Sequence, residues 1–293
     1  MTTLLNRRGL LLALTATPLI AIGRAQAADT QTAEAALAAL EKTFGGRIGV
    51  AAIDTADGRT LGHRADERFP FCSTFKVMAA AALLDRMPVA PNLLDKRVAY
   101  SATDLVPYSP ETEKHVGEGM ALGEIIAAAI QLSDNTAANL MLREIGGPQA
   151  LTAFARSIGD TDFRLDRWEV ELNTAIPGDL RDTTTPSAMA KSLRKLLLDD
   201  LLVAAGRDQL KAWMLGTKTG DARIRAGVPK SWQVADKTGT GDYGTANDIG
   251  VVWPGGSRTP VIVTIYTTQA AKDAKAQNDV IASAARIVAD WVG

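Results

Sequence analysis

Alternating segments rich in β-branched residues lie towards both ends of this 293-residue chain, while its middle is patterned for helices, and that distribution limits the folds open to it. RIGVAAID (Arg47–Asp54) turns at Asp57-Gly58 into RTLGHR (Arg59–Arg64), which reads as a hairpin. Strand patterns return in SWQVADKTGT (Ser231–Thr240), NDIGVVW (Asn247–Trp253) and PVIVTIYTT (Pro260–Thr268). Between them the spacing is helical: the Ala-rich run from Ser73, then ALGEIIAAAIQL, NTAANLMLREIGG with Gly146-Gly147 as a stop, PQALTAFARSIG and PSAMAKSLRKLLL. A helical stretch around Thr32–Phe44 opens the chain, and the amphipathic NDVIASAARIVADWV closes it. Strands from both ends then have to meet in one antiparallel sheet flanked by helices, leaving the middle as an all-helical lobe. This is an α+β fold with a cleft between an α/β lobe, about 28–65 and 217–293, and a helical lobe, about 66–216. The charged segment Asp162–Pro186 fits neither period, so it is either functional or a misassigned element.

The net charge of −1 and the lack of a basic run interleaved with aromatics argue against a nucleic-acid partner. Residues 1–27 have a basic start, an apolar middle from Gly9 to Ile22 and Ala25-Gln26-Ala27 as a cleavage site, so they read as an export signal. The apolar stretch contains Pro18 and is short for a bilayer, which argues against a stable membrane anchor. Asn6-Arg7-Arg8-Gly9-Leu10-Leu11 also has a twin-arginine form, leaving two export routes open. The expected location is the periplasm or the medium. With Cys72 as the single cysteine, an internal disulfide and a cysteine-based zinc site are both excluded.

Four pieces carry the chemistry: Ser73-Thr74-Phe75-Lys76, Ser133-Asp134-Asn135, Glu169 with Asn173, and Lys237-Thr238-Gly239. Ser73 and Lys76 share a helix face, which sets a nucleophile beside an amine. Taken alone, the pair also fits an N-cap serine followed by a surface lysine. In this order, on a helix start, an interhelical turn and a strand, the pieces resemble those of class A serine β-lactamases. The resemblance covers essentially the whole mature chain, 28–293, as one catalytic domain. DKTGTGDYGTANDI looks especially like the extended-spectrum cefotaximases.

The resemblance implies hydrolysis of penicillins and cephalosporins through an acyl-Ser73 intermediate, by a monomer using no metal or cofactor. Ser73 would attack the lactam carbonyl, with the backbone N–H groups of Ser73 and Thr240 facing the oxyanion. Lys76 would assist, its basicity lowered by cationic Lys237 and raised by Glu169. Whether Lys76 or Glu169 is the acylation base stays open. Ser133 would protonate the leaving nitrogen. Asn135 would hold Lys76 and the substrate's side-chain amide, and Asp134 would tie the turn together.

Lys237, Thr238, Gly239 and Thr240 would take the substrate carboxylate. Many family members add an arginine where this chain has Ala246, and Arg223 resembles the substitute that others send from a neighbouring loop. A solvated surface charge is the alternative for Arg223. Tyr108 would wall the substrate or belong to the core.

Glu169, with Asn173 co-holding a water, would release the acyl group. That step separates hydrolysis from the two rival readings, a D,D-peptidase and a β-lactam sensor that stays acylated. Arg167 and Asp182 match a pair that pins the loop. Val170 stands where many members have proline, so the bond before it could be cis or trans. His63, His115 and Cys72 read as structural.

Overall fold

The computed structural model describes residues 17–293, with side chains from Asp29 onward. The expected leader, 1–27 with its arginine pair, lies for the most part outside the described residues. Helix α1 spans Thr17–Phe44, so it begins upstream of the Thr32 expected from spacing. Strands β1 (Arg47–Asp54) and β2 (Thr60–His63) form the hairpin. From the far end of the chain come β7 (Gln233–Thr240), β8 (Ala246–Trp253) and β9 (Val261–Thr268). The sheet order is β2-β1-β9-β8-β7, antiparallel at every step, and β9 pairs with β1 along its whole length. The two ends of the chain therefore meet in the middle of one sheet.

Both faces of that sheet are covered, and the two-residue alternation of each strand divides the core. Val50, Ala52, Val263 and Ile265 face Leu37 of α1 and Ile281, Val288 and Trp291 of α9, which runs Asn278–Val292. Ala51, Ile262 and Tyr266 face the opposite way, into the core shared with the central helices. Those helices are α2 (Phe75–Leu84), α3 (Leu122–Gln131), α4 (Asn135–Ile145), α5 (Pro148–Ser157), α6 (Pro186–Leu197) and α7 (Ala204–Leu215). A single further turn, α8, covers Ile224–Gly227. All ten residues of α2 are buried, Lys76 among them.

The middle lobe is not purely helical. Strand β3 (Phe69–Pro70) pairs with β6 (Thr183–Thr184), and β4 (Arg97–Val98) with β5 (Met120–Ala121). Ladders two residues long have no readable period. The sequence pattern also misses α7, where Gly206 and the polar Arg207-Asp208-Gln209 dilute the apolar spacing. Among the described residues no helix is long and apolar enough to cross a membrane.

Candidate active site

A turn of 3-10 helix, Cys72–Thr74, precedes α2 and carries Ser73, so the serine stands two residues ahead of Phe75, the first residue of the α-helix. The Phe71 carbonyl closes this turn, accepting from the Thr74 N–H (3.2 Å) and the Thr74 hydroxyl (2.8 Å). Ser133 sits in the short link between α3 and α4. Asp134 is the N-cap of α4: it accepts from Ala137 N (2.8 Å), from the backbone N–H groups of Glu111 and Thr112, and from the Thr112 hydroxyl. Its tying role is thus borne by geometry. Cys72, Tyr108, Ser133 and Asp182 all adopt left-handed backbone, with φ of 47°, 64°, 61° and 55°. Such conformations are uncommon outside glycine and cluster where a side chain must be aimed against local preference.

The side chains converge. The Ser73 hydroxyl donates to Glu169 Oε1 at 3.2 Å, and Lys76 Nζ lies 3.1 Å from the same oxygen. Lys76 also donates to Asn135 Oδ1 (2.7 Å) and to the Ser133 carbonyl (2.8 Å), and its Nζ is 3.5 Å from Ser133 Oγ. Lys237 Nζ reaches Ser133 Oγ at 3.0 Å from the other side. The second Glu169 oxygen accepts from the Asn173 amide. Glu169 is 2% exposed, and both lysines are fully buried.

Burial is the main influence on the two lysines, because taking an ammonium out of water favours its neutral form. It lowers Lys76 below the ordinary lysine range, with Glu169 pulling the other way. Lys237 is pushed well down by burial and then by the positive charge of Lys76. Of the two neighbours weighed from the sequence, Glu169 raises Lys76 as expected, and the larger influence is burial, which lowers it. Among the described residues no group of three or more His, Cys, Asp or Glu side chains is placed to hold a metal ion.

A cleft of about 330 Å³ opens onto this cluster, lined by Ser73, Tyr108, Ser133, Asn135, Asn173, Thr219, Arg223, Thr238, Gly239 and Thr240. The model of the β-lactamase enzyme family matches residues 32–292. A solved structure of an ancestral class A β-lactamase superposes with a TM-score of 0.85 at 58% identity, covering 87% of this chain and 98% of that one. The chain belongs to the class A serine β-lactamases. A β-lactamase from Desulfarculus baarsii has a TM-score of 0.89 at 56% identity, over 90% of this chain and 98% of that one. Beta-lactamase CTX-M-8 of Citrobacter amalonaticus is 56% identical over 266 residues, which cover 91% of this chain and 90% of that protein.

In this β-lactamase the charged segment 162–186 is a closed loop. Arg164 and Thr183 pair their backbones across its neck. Asp182 accepts from the N–H groups of Asp166 (2.8 Å) and Arg167 (3.0 Å), and from the Arg167 guanidinium. The Glu169-Val170 peptide bond is cis. Asn139, which sequence reasoning passed over, holds Glu169 by its backbone: its amide donates to Glu169 O (2.9 Å) and its carbonyl accepts from Glu169 N (3.0 Å). Asn139 stands four residues after Asn135 on one helix face, a spacing that could have drawn attention to it.

Thr219 was also missed; its hydroxyl lies 2.6 Å from that of Thr238 at the cleft wall. Arg223 is not a solvated surface charge. It is buried, with Nη2 on the Thr240 hydroxyl (2.7 Å), Nη1 on the carbonyls of Gly239 and Asn247, and Nε on Asn278 Oδ1. Tyr108 is 60% exposed at the cleft rim, which removes the core alternative for it. His63 on β2 contacts Glu41 of α1, and His115 is half-buried beside Glu111. Cys72 is buried, and burial raises its thiol pKa, so the reactive thiolate is disfavoured.

Proposed function

We propose that this enzyme opens the lactam ring of penicillins and cephalosporins and releases the product by hydrolysing an acyl-Ser73 ester. The observation that carries the reading is the position of Glu169, a buried carboxylate that accepts from the Ser73 hydroxyl and from the Asn173 amide at once. Ser73 Oγ bonds to the lactam carbonyl carbon as its proton passes to a neighbouring base. The oxyanion faces the backbone N–H groups of Ser73 and Thr240. Collapse breaks the C–N bond, and Ser133, held between Lys76 and Lys237, protonates the departing nitrogen and regains a proton from the base that took it from Ser73.

Water then attacks the ester while Glu169 takes its proton, and Ser73 leaves with its hydrogen restored. Such a base contributes roughly 10²–10⁴-fold, enough to separate a turning-over enzyme from one that stays acylated. Thr238, Thr240 and Arg223 line the wall that would receive the substrate carboxylate, and the buried Lys237 amine, held by Ser133 Oγ and the Thr238 carbonyl, would supply positive charge there. Tyr108 would flank the substrate at the rim. Export, by either route, rests on the leader at 1–27. The division into lobes of about 28–65 with 217–293 and of 66–216 is proposed from the strand and helix pattern of the sequence, and the monomeric state from the family resemblance.

The test is turnover of a chromogenic cephalosporin by the purified protein. Sustained hydrolysis is expected, with Glu169→Ala accumulating an acyl-enzyme adduct by mass spectrometry. A burst of one equivalent followed by silence in the parent would overturn the reading in favour of a D,D-peptidase or sensor. Cefotaxime hydrolysis above background is expected from Thr240, Gly241 and Asp242 beside the cleft.

A further inference from the structure

Asn247 is fully buried on β8, directly opposite Gly239 on β7. Its side chain passes the glycine and reaches the segment just before the nucleophile, donating Nδ2 to the carbonyls of Pro70 (2.8 Å) and Phe71 (3.0 Å). The Phe71 carbonyl also closes the turn that bears Ser73. On the other side, the Phe71 N–H donates to Asp182 O in the neck of the loop carrying Glu169. A Cβ at Gly239 would come within 2.7 Å of the Phe71 carbonyl, so strand and turn approach too closely for any side chain there. The Asn247 backbone carbonyl, in turn, accepts from the Arg223 guanidinium that holds the Thr240 hydroxyl.

One residue therefore bridges the two walls that carry the proposed oxyanion donors. We propose that Asn247 is a positioning residue that fixes the Ser73 turn against the Thr240 strand and so sets the spacing of the two N–H groups. The proposal rests on Ser73 being the nucleophile. Oxyanion donors act only when aimed at where charge develops, and a displaced donor costs far more in the transition state than in substrate binding. Loss of the Asn247 amide should therefore spare ground-state affinity and weaken tetrahedral adducts.

The experiment compares the parent with Asn247→Ala and Asn247→Asp, using an arylboronic acid as probe because it forms a tetrahedral adduct on the serine. Mass spectrometry of the parent adduct at Ser73 tests the underlying reading separately. For Asn247→Ala, kcat/KM and boronic acid affinity are expected to fall together by about 10–100-fold. Affinity for hydrolysed product should stay within twofold. In Asn247→Asp, a carboxyl buried against two carbonyls donates only when protonated, so activity relative to the parent should recover at acidic pH and fall on raising it. Unchanged boronic acid affinity, a loss confined to KM, or both variants lacking the parent's circular dichroism would overturn the proposal.

Discussion

Two ammonium groups meet at Ser133, and their burial gives the site a pH signature. In its proposed role Lys237 must be charged to attract the substrate carboxylate, yet its pKa is pushed well below the usual lysine value by burial and by Lys76. It therefore loses its proton, and its attraction, as pH rises through that lowered value. The alkaline limb of kcat/KM for a penicillin is expected to lie below the ordinary lysine range, and Lys237→Arg should move it upward, because a guanidinium keeps its charge. Lys237→Ala should lower kcat/KM by roughly a hundredfold, about 3 kcal/mol, as one partner of a buried charge pair is removed. Initial rates across pH check both. At this scale the sequence was most legible where the chemistry is compact: Ser73 with Lys76, and Ser133 with Asn135, are near neighbours in the chain. Asn139, Thr219 and Asn247 stayed hidden because their partners are distant in sequence and their roles exist only after folding.

The loop from Asp162 to Pro186 is the element on which the proposed deacylation depends, and it is held by polar contacts at its neck. Asp182 is fully buried and satisfies two backbone N–H groups and the Arg167 guanidinium. Removing one partner of such a group leaves the others unpaired, at a cost of about 3–5 kcal/mol. Asp182→Ala is expected to expose the loop to limited proteolysis and to slow release of the acyl group at least tenfold, leaving the serine still able to acylate. Intact-protein mass spectrometry after mixing with a penicillin reads the trapped adduct directly. Sequence patterning recovers elements with a strong period, such as α9, whose expected bounds match those found. It could not recover this loop's closure, because the Arg164–Thr183 pairing and the left-handed Asp182 are fixed by tertiary contact.

The whole molecule is closed by α1 and α9 laid over the outer face of the sheet, and Glu41 is the polar bolt at that junction. It accepts from the backbone N–H of Ile48 on β1 (2.9 Å), contacts His63 on β2 (3.2 Å) and pairs with Arg64 (2.7 Å). Partial burial opposes its ionisation, but the hydrogen bonds from Arg64, Ile48 and His63 outweigh it and hold the carboxyl at about 2 against an ordinary 4.5. A carboxyl depressed by folding contributes stability above its unfolded value, and the contribution is lost as pH falls from about 4.5 through about 2. Asp236 works in the opposite sense. Burial raises it to about 6 despite its pairing with Arg225, so its contribution is present below 3.8 and lost as pH rises through about 6. A raw acid-unfolding curve thus mixes opposite slopes, and the difference between parent and Glu41→Gln isolates the bolt. The urea midpoint of the variant is expected to fall below the parent's at neutral pH by a margin that stays constant down to about pH 5 and vanishes near pH 2. A margin independent of pH would show that the junction is held by packing, with the charge on Glu41 contributing nothing.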